Sequence, residues 1–219
     1  MNSIPSYSAL VLAAGHGIRT GLAYNKMFYR LPGGKTVLEE ALRPFLADEA
    51  CRQIIITGQP GELEDLRRLA PDLRCQVVAG GDTRQESVRL ALEHVTEPVV
   101  FIHDGARPWL QNRELEKLKQ VMVTEKAALL AVPVTDTIKE VRQGRIAGTP
   151  DRTLLWAAQT PQAFDTALIR ECHARALQEG AQVTDDSMLA ERWGQVSVAV
   201  VPSDPANRKI TVAADLEVG

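Results

Sequence analysis

Two cations that follow a pair of glycines are the first residues in this chain with evident chemistry. The stretch 7–26 reads YSALVLAAGHGIRTGLAYNK: an apolar run from Ala9 to Ala14, then Gly15 and Gly17, then Arg19 and Lys26. A buried strand that opens into a glycine-bearing loop lets backbone N–H groups come close to an anion. The arginine and lysine add positive charge where the anion would sit, so the chemistry is phosphate binding. No G-K-[ST] closes the loop as in a P-loop, and Thr20 stands where a dinucleotide fingerprint needs its third glycine, with Gly21 one residue late. Taken alone, the pair of glycines also fits an ordinary turn after a strand. Two further loops carry unusual residues: Gly80-Gly81-Asp82 with Arg84 and Ser87, and Asp104-Gly105-Ala106-Arg107-Pro108. Asp104, at the end of an apolar run, could hold Mg²⁺, which binds through one or two carboxylates plus substrate phosphates. It could alternatively cap a turn or pair with Arg107, and Ser87 could be a plain helix residue.

The segments that must carry these loops alternate between strand and helix. Apolar runs at 9–14, 52–57, 75–79, 98–103 and 127–134 read as buried strands, with a shorter candidate at 27–31. Helical patterns occupy 36–48, 62–69, 83–93 and 112–124, and Thr36 with Glu39 and Thr83 with Glu86 have capping-box spacing. This rhythm predicts an α/β fold: a mostly parallel sheet with helices on both faces, three layers in all. Ligands of such sheets bind beyond the carboxyl ends of the strands, where all three unusual loops fall. The rhythm breaks at 135–152, which alternates polar and apolar residues around Gln143-Gly144 and predicts a β-hairpin too polar for a core. It reads as an arm leaving the domain, and its exposed edges call for a second copy of the chain; a hairpin folded back on its own sheet is the alternative. A strand at 154–159, the loop Thr160-Pro161-Gln162, helices at 165–179 and 184–193, a strand at 195–202 and a last helix from Thr211 complete the reading.

Composition narrows the class. The 219 residues fit one domain, and 25 basic against 28 acidic residues argue against non-specific nucleic-acid binding. Cys51, Cys75 and Cys172 are odd in number and lack C-x-x-C or zinc spacing, which reads as reduced thiols in the cytoplasm. No leader-like N-terminus and no apolar run long enough to span a bilayer are present, so no membrane partner is expected. None of the histidines has a pattern that demands catalysis; His103 reads as a hydrogen-bonding residue at a strand end.

The ordered set of motifs is more specific than any one of them. Leu12-Ala13-Ala14-Gly15-x-Gly17-x-Arg19 with Lys26 is followed by Gly80-Gly81-Asp82, His103-Asp104-Gly105-Ala106-Arg107-Pro108 and Asp136-Thr137-x-Lys139. Then come Asp151-Arg152, Thr160-Pro161-Gln162, Thr184-Asp185 and Asn207-x-Lys209. The set resembles the 2-C-methyl-D-erythritol 4-phosphate cytidylyltransferases and their sister family, the ribitol-5-phosphate cytidylyltransferases. The resemblance implies a single Rossmann-like domain of the nucleotidyltransferase (nucleotide-diphospho-sugar transferase) type over 1–219, with a dimerisation arm at 135–152. It implies attack of a sugar-alcohol phosphate on the α-phosphorus of CTP, with Mg²⁺ as cofactor.

Residue by residue, the resemblance makes Arg19, Lys26 and Lys209 catalytic. It gives nucleotide binding to Ala13, Ala14, Gly15, Gly17, Gly81, Asp82, Ser87 and Gly105. Acceptor binding goes to Asp104, Arg107, Thr137, Arg152, Thr160 and Asp185, with Lys139 beside them on the arm, and the metal to Asp104. Three departures stand out. Asn25 replaces the usual proline before the lysine, which should loosen the loop. Ala206 replaces an acidic residue near the metal, for which Asp204 is a candidate substitute, and Arg208 replaces an apolar one. A polyol phosphate such as ribitol 5-phosphate as acceptor is the alternative, and a non-catalytic nucleotide-binding regulator is the alternative of another class; a nicotinamide-dependent dehydrogenase is disfavoured by the glycine spacing.

Overall fold

The computed structural model describes residues 4–15 and 21–217, so the expectations for Gly17 and Arg19 lie outside the described residues. Its centre is a seven-stranded sheet of β1 (Tyr7–Leu12), β2 (Cys51–Gly58), β3 (Cys75–Ala79), β4 (Val99–Asp104), β5 (Ala127–Pro133), β8 (Trp156–Asp165) and β9 (Ala199–Pro202). The spatial order is β3-β2-β1-β4-β8-β5-β9. All neighbours are parallel except β8, which is antiparallel to both β4 and β5.

Alternation along the strands sorts the core into two faces. Tyr7, Ala9, Val11, Ile54, Ile56 and Phe101 face one side, where α1 (Val37–Leu46), α2 (Leu63–Leu69) and α4 (Asn112–Val121) bury residues such as Phe45, Leu66 and Leu118. Leu10, Ile55, Val100 and Ile102 face the other, against α3 (Arg84–Leu92), α5 (Thr166–Gln178) and α6 (Asp186–Trp193). The three layers follow directly from the near-continuous apolar strands. Helix starts are also where the side chains put them: Thr36 and Glu39 form a full capping box, and Thr83 accepts from the Glu86 N–H.

Three local expectations are corrected. Residues 27–31 are not a strand; Lys26–Phe28 is a 3₁₀ turn, because the Asn25 side chain caps it by accepting from the Met27 N–H. Strand β8 does not stop before Thr160 but runs on to Asp165. Pro161, which has no N–H, falls in the irregular stretch between the Leu129–Gln162 and Ala131–Ala158 pairs, where the ladder needs no donor from it. The expected last helix is a single 3₁₀ turn, Ala213–Leu216. The hairpin at 135–152 forms as expected, with β6 (Glu140–Arg142) and β7 (Arg145–Gly148) paired, among the described residues, only with each other. Gln143 and Gly144 both have positive φ, the geometry of a tight two-residue hairpin turn.

Candidate active site

The sheet grows outward from β1 through β2 and β3 on one side and through β4 on the other. The carboxyl ends of β1 and β4 therefore form a switch point, the place where an open α/β sheet leaves a crevice. Leu12 pairs with Asp104 in register, and the Gly105 N–H donates to the Leu12 carbonyl at 3.0 Å. A Cβ on Gly105 would lie 2.8 Å from that oxygen, so the two strand ends approach this closely only with glycine there. A cavity of about 340 Å³ opens above them.

The nucleotide-assigned residues of the described chain meet at this cavity, with one exception. Ala13, Ala14 and Gly15 line it from the end of β1, and Gly81, Asp82 and Ser87 line it from the loop into α3. The Ser87 hydroxyl accepts from the Gly81 N–H at 3.0 Å and donates to the Thr83 carbonyl at 2.9 Å, so it fixes the loop's shape. A Cβ on Gly80 would meet the Ala14 Cβ at 2.7 Å, so a side chain there would push the two loops apart. Gly105 is the exception: it sits behind the cavity wall as the packing glycine between strand ends.

Charge is concentrated on the floor. Lys26, Arg84, Asp104 and Lys209 all line the cavity. Lys209 Nζ lies 2.6 Å from one Asp104 carboxylate oxygen and Arg84 Nε 3.2 Å from the other. Arg84 also reaches Asp186 at 2.8 Å, and His173 Nε2 lies 3.6 Å from the same carboxylate. Burial would raise the Asp104 pKa, but Arg84, Lys209 and Arg107 outweigh it and hold the carboxyl well below the usual carboxylate range. For Arg84 burial disfavours the charge, and Asp186 and Asp104 more than restore it. Lys26 Nζ donates to the Ile210 carbonyl at 2.8 Å, next to Lys209 in sequence.

The segment that carries Lys209 is fastened at several points. The Ile210 N–H donates to the Ala106 carbonyl, Arg107 donates to the Asn207 carbonyl, and Asn207 Nδ2 donates to the Gln159 side chain and the Thr160 carbonyl. Arg208 lies over the Trp109 ring at 4.5 Å, a stacking role for the cation that stands in place of an apolar residue.

The acceptor-assigned residues are dispersed. Asp104 is in the cavity. Thr160 is beneath it: its hydroxyl accepts from the Asp104 N–H and donates to His103 Nδ1, each at 3.0 Å. His103 Nε2 faces the Arg107 carbonyl, and burial lowers its pKa to about 4, so the ring is neutral and structural. Arg107 spans to the Asn207 segment, outside the lining. Asp185 caps α6 by accepting from the Met188 N–H and takes a second bond from Gln162 Nε2, also outside the lining. Thr137 and Arg152 lie on the exposed arm, where Arg152 donates to the Thr135 carbonyl and Lys139 to Thr149.

A divalent cation fits this donor set in one form only. Among the described residues no three His, Cys, Asp or Glu side chains cluster. Asp104 is ionised, and each of its oxygens keeps a lone pair beyond the one its cationic partner uses. It can serve as a single carboxylate ligand to an ion whose other ligands are phosphates and water. Asp204 does not supply a second carboxylate: it pairs with Arg113, caps the Ala206 N–H and lies outside the lining.

Sequence reading did not single out Asp186 or Thr211 as site residues, and it named Arg84 only as part of the loop before α3, without a role. The signal for Arg84 was present, since a cation in the first turn of a helix opposes the helix dipole and needs carboxylates to hold it. Asp186 gave none, because an acidic residue in a first turn is ordinary.

Comparison with known proteins gives the family. The profile of the 2-C-methyl-D-erythritol 4-phosphate cytidylyltransferase (IspD) family matches residues 7–219. A relative of that name from Halalkalibacterium halodurans is 42% identical over 215 residues, covering 96% of this chain and 93% of that protein. One from Synechocystis is 38% identical over 216 residues, covering 95% and 93%. Among solved structures, the 4-diphosphocytidyl-2C-methyl-D-erythritol synthase of Anaerococcus prevotii superposes with a TM-score of 0.86 at 29% identity, covering 98% of this chain and 96% of that one. The chain belongs to the 2-C-methyl-D-erythritol 4-phosphate cytidylyltransferase family.

Proposed function

We propose that this protein transfers the cytidylyl group of CTP to 2-C-methyl-D-erythritol 4-phosphate, releasing pyrophosphate and feeding isoprenoid-precursor synthesis. The observation that carries the reading is the cavity floor: Arg84 and Lys209 flank one ionised Asp104, and Lys26 lines the same cavity, at the switch point and beside a glycine-bearing loop. In-line attack on the α-phosphorus concentrates negative charge on the phosphoryl oxygens, and prepositioned cations stabilise that charge. Lys26 takes the α-phosphate. Lys209, held in place by Asp104, faces the same space. Arg19 is assigned to the phosphate chain by resemblance alone. No general base is required, because the attacking phosphate is already ionised near neutral pH. Mg²⁺, when bound, would neutralise charge on the phosphates, with Asp104 as its one protein carboxylate. The cytosine lies against the small residues Ala13 and Ala14 and the Gly81 backbone, in a loop shaped by Ser87.

The acceptor site is completed by a second chain. Thr137, Lys139 and Arg152 sit on an arm with no core beneath it, and Val141 and Ile146 on the same hairpin are 59% and 67% exposed. A homodimer through the arm covers those side chains and brings the basic pair to a partner's cavity. The enzyme works in the cytoplasm. The experiment is pyrophosphate release from CTP and Mg²⁺ with methylerythritol 4-phosphate and ribitol 5-phosphate in parallel. Turnover with the first and not the second is expected. Turnover with ribitol 5-phosphate alone would transfer the assignment to the sister activity, and CTP binding without turnover would indicate a regulator.

A further inference from the structure

Asn25 is 4% exposed, and its side chain uses both of its donors. Nδ2 donates to the Ala13 carbonyl and to Glu62 Oε2, both at 2.8 Å, and Oδ1 accepts from the Met27 N–H at 3.1 Å. These partners fix the amide's orientation. A carbonyl and a carboxylate only accept and an N–H only donates, so the flipped amide would set an acceptor against two acceptors. The Asn25 backbone lies at φ −64° and ψ 125°, the conformation a proline would impose. The substitution that should have loosened this loop therefore leaves its backbone where proline would hold it, with hydrogen bonds in place of a ring.

The bonds run between elements. Ala13 directly follows β1, Glu62 ends the 3₁₀ turn Pro60–Glu62 that leads from β2 into α2, and Met27 follows Lys26 in the turn that Asn25 caps. Met27 is buried and would lie 3.0 Å from a Cβ on Gly105, so the turn rests directly on the end of β4. Lys26 is thus set between Asn25 on one side and the Ile210 carbonyl on the other. We propose that Asn25 and Glu62 form a latch that positions Lys26 for transfer, with Glu62 as a positioning residue that acts through Asn25. The inference rests on the reading that Lys26 contacts the transferred phosphoryl group. Charge assistance from the Glu62 carboxylate makes its bond to Asn25 stronger than a neutral one.

The test uses the full-length protein and five variants: Asn25→Ala, Asn25→Pro, Glu62→Ala, Glu62→Gln and the double Asn25→Ala/Glu62→Ala. A misplaced catalytic group costs rate in the transition state, so Asn25→Ala is expected to lower kcat about tenfold or more while KM for the acceptor stays unchanged. Asn25→Pro, which fixes the same φ covalently, is expected to recover to within about threefold of the natural protein. Glu62→Gln keeps an acceptor at the same point and stays near natural activity, whereas Glu62→Ala does not. The double variant loses no more than Asn25→Ala alone, because both changes remove one unit.

Unchanged kcat in Asn25→Ala overturns the latch. So does a loss shared equally by both substrates' KM values, an equal loss in the Pro and Ala variants, or additive losses in the double. The natural protein reports separately on the reaction: if it releases no pyrophosphate, that assignment fails. CTP affinity by calorimetry then reads the latch, with about threefold weakening in Asn25→Ala expected and unchanged affinity overturning it.

Discussion

The cavity and the arm carry similar residues in opposite settings. At the cavity, Arg84 and Lys209 are held by carboxylates at 2.8–3.2 Å and 2.6 Å, and Asp104 is nearly inaccessible. On the arm, Arg152 donates to one carbonyl and Lys139 to one threonine, both in the open. A cation fixed by buried partners is prepositioned and has little entropy left to lose, which suits stabilisation of a transition state. A cation on an exposed hairpin is a donor whose second partner has yet to arrive. On the proposed assignment, the nucleotide half of the site is built within one chain, and the acceptor half awaits a second.

That contrast can be broken or sharpened by substitution. The largest effect is expected for Lys26→Ala, which should lower kcat about 10²–10³-fold, as for loss of one prepositioned donor, with the melting temperature little changed; near-natural kcat in steady-state assays would remove Lys26 from the mechanism. Thr160→Val comes next. It leaves the Asp104 N–H and His103 Nδ1 without partners and should cost about 1–3 kcal/mol in denaturant unfolding, and a neutral result would mean the floor does not need that support. Arg152→Ala should raise KM for the acceptor about tenfold with KM for CTP unmoved, a size typical of one charge-assisted contact; equal rises would contradict the division between cavity and arm. Sedimentation belongs beside it, since a protein that stays monomeric at micromolar concentration would refute assembly through the hairpin.

The remaining effect is a pH slope. Burial lowers the His103 pKa from 6.5 to about 4, so between those values the unfolded chain binds a proton that the folded one refuses. Stability is then full above pH 6.5 and is lost as pH falls toward 4. Asp104, also depressed, contributes a loss only below its unfolded value, outside that window. Melting temperatures at pH 7.5 and 5 should differ in the natural protein and differ less in His103→Gln.

Much of this was legible in the sequence because the signals were local. Apolar runs gave the parallel strands, Thr36 and Thr83 gave helix starts, and the three loops at strand ends gave the cavity. What stayed hidden depended on distance in space. Strand β8 looked like a strand that stopped at a proline, because the two neighbours that carry it past Pro161 are remote in sequence. Arg84 stood in an unusual loop without a role, because its partners Asp104 and Asp186 are remote in sequence. Asn25 looked like a loosened proline, since its φ is set by Ala13, Met27 and Glu62, and Glu62 is 37 residues away. Capping and periodicity are written in neighbours; buried ion pairs and side-chain clamps are written in the tertiary fold.

The antiparallel strand has a further consequence, in the order of synthesis. Strand β4 pairs on one side with β1, already made, and on the other with β8, through Val99–Asp165 and Ile102–Gln162. As the chain leaves the ribosome, β1 to β4 can assemble while β4 keeps a bare edge until residues near Asp165 emerge. Strand β5 in turn finds no place beside β4 until β8 is inserted between them. Closing the sheet waits on a strand that enters against the direction of all its neighbours, across a sequence separation that makes pairing slow. Throughout that interval the half-sheet that frames the cavity is exposed along one edge, open to capture by a chaperone or by another nascent copy.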